Sequence, residues 1–324
     1  MKLRLIILLS VLLLGACLWW LCPRGEVVAQ QTLPRPSEVN AQRETQLTLR
    51  PQEVPVVSTR VEEPVVEVSH LVKVAIGADE ATARRYVARS EAVWKLGKDL
   101  PDEAVEALLA YLRSTEDVLR EERVDALKND IMNVLRAQKR VSPQLSETLI
   151  AMFDSQAYGV AMLDYCIQHL GAVQEASADE EERSRIYACL QRATRVPGAS
   201  YAGTALIALL HTPHEDDDMR HFVNERVAAL LYAEDSHEAA KVTATQIAAE
   251  RGYAELLPVI RRMATDESLP LTQRVVSIGA LGRFGCPEDI EFLEKRVVPG
   301  ANPRLLPAVE AALKQLKQAT KEPR

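Results

Sequence analysis

From about Ala78 onward, apolar residues recur every three to four positions, and Gly, Pro, Asp or Ser breaks divide the chain into segments of 11 to 20 residues. That period belongs to amphipathic helices, and no alternating run in this part reads as a strand. One segment shows the logic. Ala104, Leu108, Leu109 and Leu112 share a face behind Pro101-Asp102-Glu103. Proline near a helix start, with acids in the first turn, supplies the expected N-terminal chemistry. The fold class expected is all-α.

The segments also repeat. Anchored on one apolar residue each (Leu96, Leu135, Leu170, Leu209, Ala248, Leu281 and Leu313), they step by 39, 35, 39, 39, 33 and 32 residues. A near-constant step of this size is one two-helix hairpin per repeat. Near the C-terminus, Asp266, Pro270, Arg274, Ala280-Leu281-Gly282, Gly285 and Pro287-Glu288-Asp289 follow in order. Leu96-Gly97 before Pro101-Asp102-Glu103 echoes the same turn, one residue shorter. This order resembles a HEAT-like repeat of the short bacterial form named after phycobilisome lyases. The pattern covers about residues 78–318, with specific residues only in 90–109 and 266–293. The resemblance implies an α-solenoid of about six to seven stacked hairpins, wound into a right-handed superhelix with a concave inner surface. In it the Leu fills the seam between hairpins, Gly lets the chain leave the first helix, and the Pro-acid pair starts the second. Val309, Leu313 and Leu316 keep the seam in the last repeat, which lacks the Gly-Pro turn as a terminal cap would. Each hairpin has an apolar face that only its neighbours can bury. Lyase activity does not follow from the repeat, which is a structural unit.

The N-terminal region differs. Lys2 and Arg4 precede an apolar run from Leu5 to Cys22 broken only by Ser10, close to the length that spans a bilayer. Residues 1–22 are therefore an export or anchoring segment, with three processing outcomes. Leu14-Gly15-Ala16-Cys17 resembles a lipobox, which would make Cys17 a lipidation site. Val27 and Ala29 are small enough for signal-peptidase cleavage. Retention as a signal anchor places Trp19-Trp20 in the outer interfacial belt. All three send the rest of the chain out of the cytoplasm, to the cell envelope. Residues 23–77 read as a flexible tether: Pro23, Pro34, Pro36, Pro51, Pro55 and Pro64 lie among Gln, Glu and Arg without a sustained period. Val54 to Val68 alternates, and its other reading is a strand added to a partner's sheet edge. Residues 78–318 form the helical-repeat domain, and 319–324 a basic tail.

Composition narrows the function. Aromatics are 5% of the 324 residues, which suits seams filled by Leu, Val and Ala. Residues 1–60 hold seven basic and four acidic side chains, so the remainder is three units more negative than the whole chain's −7. That balance speaks against a phosphate-backbone partner, and no nucleic acid is expected. Lys314, Lys317, Lys321 and Arg324 read as a solvated tail.

No Gly-rich phosphate loop, Gly-x-Ser-x-Gly, His-Glu-x-x-His or Cys-x-x-Cys occurs in the sequence. No catalytic residue or cofactor is assigned. The one metal candidate is the group His211, His214, Glu215, Asp216, Asp217, Asp218 and His221, a residue set that can ligate zinc. Its other reading is a polar loop feeding the acidic first turn of a helix. Asp179–Glu182 is read the same way, as a helix start or a cation site. Cys166 and Cys189 occupy apolar helical positions on two helices of one hairpin, either as free core thiols or paired. Cys286 sits in a turn, and Trp94 is read as core. The expected function is a non-catalytic, membrane-tethered scaffold binding a protein or peptide partner outside the cytoplasmic membrane. The alternatives are an envelope structural or assembly factor, or a metal-dependent enzyme using the His211–His221 group.

Overall fold

The computed structural model describes residues 67–155, 157–212, 217–297 and 302–320. These are all-helical, with fourteen α-helices and no strand, packed in a repeat-like arrangement. The even-numbered helices are α2 (Tyr86–Trp94), α4 (Glu121–Arg136), α6 (Val160–Ala176), α8 (Tyr201–Leu210), α10 (Glu238–Arg251), α12 (Leu271–Phe284) and α14 (Leu306–Ala319). The odd-numbered ones are α1 (Val68–Ala75), α3 (Asp102–Arg113), α5 (Gln144–Asp154), α7 (Glu180–Ala193), α9 (Asp217–Tyr232), α11 (Leu257–Thr265) and α13 (Glu288–Phe292).

The even helices form one unbroken row, each packed on the next from α2 to α14. The odd row is continuous from α1 to α7. From α9 onward its helices lean chiefly on the even row: α9 on α8 and α10, α11 on α12, and α13 on α14. Six of the seven repeat anchors fall within the even helices, and Leu96 lies two residues past the end of α2. Six are buried and Leu313 is half-buried, so the periodicity marks one row of helices.

Glycine sets the closeness of that row. A Cβ at Gly171 would lie 2.7 Å from the Ala208 Cβ, one at Gly203 3.1 Å from the Ala240 Cα, and one at Gly282 2.6 Å from the Ala312 Cα. Gly171 and Gly282 each follow an anchor, and Ala208 and Ala312 each precede the next. Among the glycines of the turn motif the expected exit role holds at Gly285, where a Cβ would sit 2.3 Å from the Leu281 carbonyl oxygen. Gly97 faces open space and lacks a positive φ, so neither sterics nor backbone conformation requires glycine there. Pro101, Pro270 and Pro287 stand at the N-caps of α3, α12 and α13, as the turn pattern predicts. Val309 and Leu316 are buried in α14.

The packed body begins earlier than the sequence boundary at 78. Val72, Val74 and Ala75 of α1 are buried, so residues 68–75 belong to the folded array and not to the tether, and Val68 opens a helix instead of closing a strand. A buried ionic lock holds this first unit. Arg89 of α2, 1% exposed, forks to Asp117 at 2.9 Å on both oxygens. It also donates to the Ala75 and Ala83 carbonyls and to the Tyr111 hydroxyl. Gly77, at φ 74°, lets the chain turn tightly over the guanidinium, which a Cβ would approach to 2.9 Å. Burial pushes the Asp117 carboxyl upward, yet the bonds from Arg89 and Tyr111 outweigh it and hold its pKa below the usual carboxylate range.

Two further buried charges are satisfied the same way. Lys128 of α4 donates to the Leu112 and Ser114 carbonyls at the C-terminal end of α3, its ammonium 5.0 Å from the Tyr158 ring centroid. That end carries the negative pole of the helix. Near the C-terminus, Asp289 is fully buried and accepts from Arg261 Nε at 2.6 Å and the Cys286 backbone N–H at 2.9 Å.

Candidate functional site

The sequence candidates separate on the folded chain. His214, Glu215 and Asp216 lie outside the described residues. His211, just past the end of α8, is exposed. His221 is 75% exposed and reaches Glu225 at 3.3 Å, while Asp217 and Asp218 open α9 and Asp217 pairs with Arg220. Among the described residues no group of three or more His, Cys, Asp or Glu side chains is placed to hold a metal. Asp179 is an N-cap, accepting from the backbone N–H groups of Glu181 and Glu182. Glu182 is buried between the hydroxyls of Ser146 and Ser177, each 2.5 Å away. That stretch is a helix start whose acids already have partners. Arg274 is buried in α12, and its Nε has no hydrogen-bond partner among the described residues. Lys317 pairs with Glu294 at 2.8 Å, whereas Lys321 and Arg324 lie outside the described residues.

Cys166 in α6, Cys189 in α7 and Cys286 are free thiols. Burial pushes both Cys166 and Cys189 up to about 12, with the neighbouring Cys189 adding to the effect on Cys166. Both are therefore protonated core groups, poor nucleophiles and poor ligands. Cys286 is half-exposed, and Arg261 donates to its sulfur at 2.9 Å. His169 is 3% exposed with Nε2 3.0 Å from Asn129 Oδ1, and burial lowers its pKa to about 4.

Trp94 overturns its sequence reading. It is 72% exposed at the end of α2, not in the core. In that short helix the buried residues are Arg89, Ser90, Ala92 and Val93, which leaves positions 87, 91 and 94 together on the solvent face. Val87 there is 67% exposed. The indole is held by its edge: Nε1–H donates to Asp130 Oδ2 of α4 at 3.3 Å, and Ser90 Oγ reaches the same oxygen at 3.5 Å. Among the described residues Asp130 Oδ1 takes no bond, and the exposed Glu91 makes no ion pair. An oriented aromatic ring, an apolar neighbour and two carboxylates thus sit on the solvent side of the first two even helices. Farther along the row Ile207 of α8 is 43% exposed. Single exposed apolar residues are ordinary. A tryptophan fixed at its edge with its faces in water is a side chain of the type that dominates binding energy at interfaces.

No described helix is long and apolar enough to cross a membrane, and residues 1–66 lie outside that description. Neither a protein-family model nor a curated protein matches the chain, so the reading of the site rests on its geometry.

Proposed function

We propose that the chain is a non-catalytic, membrane-tethered helical-repeat scaffold that docks a protein or peptide partner outside the cytoplasmic membrane. In this reading residues 1–22 anchor or export it, residues 23–67 span the gap, and the fourteen helices form seven stacked HEAT-like hairpins, an α-solenoid. The register of the anchors and the glycine contacts along one row support the stacking. In this reading the even row lines the inner side of the stack, so the solvent face of its helices is the docking face.

The observation that carries the docking assignment is Trp94, exposed on that face with its indole edge already fixed. Burying such a ring removes about 150–250 Å² of surface from water and costs little rotamer entropy when the ring is preset. The test is affinity capture from envelope extract with full-length chain in non-ionic detergent. Trp94→Ala is compared with Val118→Ala, a change at an exposed residue of the α3–α4 turn. A partner retained by wild type and Val118→Ala and lost by Trp94→Ala supports the assignment. Identical capture by all three removes it.

A further inference from the structure

We propose that the Trp94 site takes an arginine side chain of the partner, its guanidinium stacked on the indole and forked to Asp130, with Glu91 closing the other side. The proposal rests on the docking reading and adds the chemistry of what docks. Three features of the geometry carry it.

First, the ring is available to a cation. Trp94 is 72% exposed, and its single polar atom is engaged by Asp130, which leaves the π-faces as its free surface. The face of an indole attracts a cation within about 6 Å of its centre more strongly than other aromatic faces do. Second, the charges around it are complementary and unspent. Among the described residues Asp130 uses only Oδ2, 3.3 Å from Trp94 Nε1 and 3.5 Å from Ser90 Oγ, contacts that orient the carboxylate toward the ring edge. Glu91 is three residues before Trp94, a helix-surface neighbour, and is exposed with no ion-pair partner among the described residues. Third, the cations nearby do not fill the site. Arg123 already lies over Tyr86, 5.7 Å from its ring centre. Lys95 is the C-cap residue, about 100° around the helix from Trp94. The charged locks deeper in the fold are closed on themselves, so this is the place in the first two even helices where a positive group gains two carboxylates and a ring together.

Arginine fits better than lysine because of its shape. A planar guanidinium can lie flat on the indole and still direct N–H groups in its own plane at a carboxylate on the ring's edge. An ammonium can sit over a ring and donate to an acceptor, but it is a compact point charge with no planar fork, so it cannot lie flat on the indole and offer a carboxylate two parallel N–H bonds.

The experiment uses the full chain in non-ionic detergent with Trp19 and Trp20 replaced by Phe, so that Trp94 alone reports. The probe is acetyl-Gly-Arg-Gly-Arg-Gly-amide, compared with the same peptide carrying citrulline, which keeps the shape and loses the charge. The expected result is a saturable change in Trp94 emission with the arginine peptide, at least tenfold weaker binding of the citrulline peptide, and several-fold weakening by Asp130→Asn or Glu91→Gln. Binding should also fall as salt rises. Equal binding of the two peptides, or no response of Trp94 to the arginine peptide, overturns the proposal. If captured partner still requires Trp94 while the arginine peptide is ignored, the docking face stands and the arginine chemistry falls. If capture ignores Trp94, the docking assignment falls by itself.

Discussion

The contact between Gly171 and Ala208 gives the most direct test of how the even row is built. A methyl group added at Gly171 of α6 would lie 2.7 Å from the Ala208 Cβ and 3.4 Å from its Cα on α8. Carbon atoms settle at about 3.5–4.0 Å, so the two helices must part by roughly 1 Å. Overpacking of that kind costs about 1–3 kcal/mol. Exchanging Gly for Ala within a helix returns about 1 kcal/mol of backbone entropy. Gly171→Ala alone should therefore lose about 0–2 kcal/mol, and Ala208→Gly alone about 1 kcal/mol. In the double variant the methyl has moved from one helix to the other. The propensity changes cancel, the 2.7 Å contact is gone, and stability should return to within about 1 kcal/mol of wild type. The two changes are thus expected to couple by about 1–3 kcal/mol. Urea unfolding of the four chains, followed by far-UV circular dichroism, measures this. Thermal midpoints provide a second readout, since about 1 kcal/mol moves a fold of this size by roughly 2–4 °C. Additivity within about 0.5 kcal/mol would refute the close approach of α6 and α8, as would full stabilisation by Gly171→Ala alone.

Other consequences follow from the buried polar groups. Arg89→Met leaves Asp117, Tyr111 and the Ala75 carbonyl without their donor and should cost about 3–5 kcal/mol. The loss should appear first as faster hydrogen exchange across residues 68–83, and unchanged protection there would contradict the lock. His169 is held neutral by burial, its pKa falling from 6.5 to about 4. Between those values the unfolded chain binds the proton that the folded chain refuses, so stability is complete above pH 6.5 and declines as pH falls toward 4. The decline is about 3 kcal/mol. It should shrink in His169→Gln, and parallel pH profiles of the two proteins would sink the assignment. Cys166 and Cys189, both raised to about 12 by burial, should resist maleimide in the native chain at pH 8 and react on unfolding. Peptide mapping of the labelled positions decides this, and early labelling at either would contradict the packing.

Much of the architecture was legible because it depends on local physics. A helix that buries one side must repeat its apolar residues near every 3.6 positions, and stacked hairpins must repeat that pattern at hairpin length. Leu135, Leu170, Leu209, Ala248 and Leu281 could therefore be aligned without coordinates, and all prove buried. The signal for α1 was also present, in Val68, Leu71, Val72 and Ala75 at helical spacing, but the proline-rich composition just before it pulled the expected boundary to 78.

The candidate site was not legible, for a reason visible at Trp94. Size and hydrophobicity place a lone tryptophan in the core, yet α2 is nine residues long, too short for its period to fix which side faces inward. The phase is set by Arg89, which the lock draws into the interior although arginine ordinarily marks a surface. Lys128 misleads in the same way, since its burial depends on carbonyls at the end of another helix. The sequence by itself determined that the body is helical, how long its repeating unit is, and where the turns fall, because these follow from spacing and turn chemistry along the chain. Only the tertiary structure decided which face of each helix meets water and which charges are spent inside, because burial depends on neighbours 14 to 40 residues distant, as from Arg89 to Ala75 or His169 to Asn129.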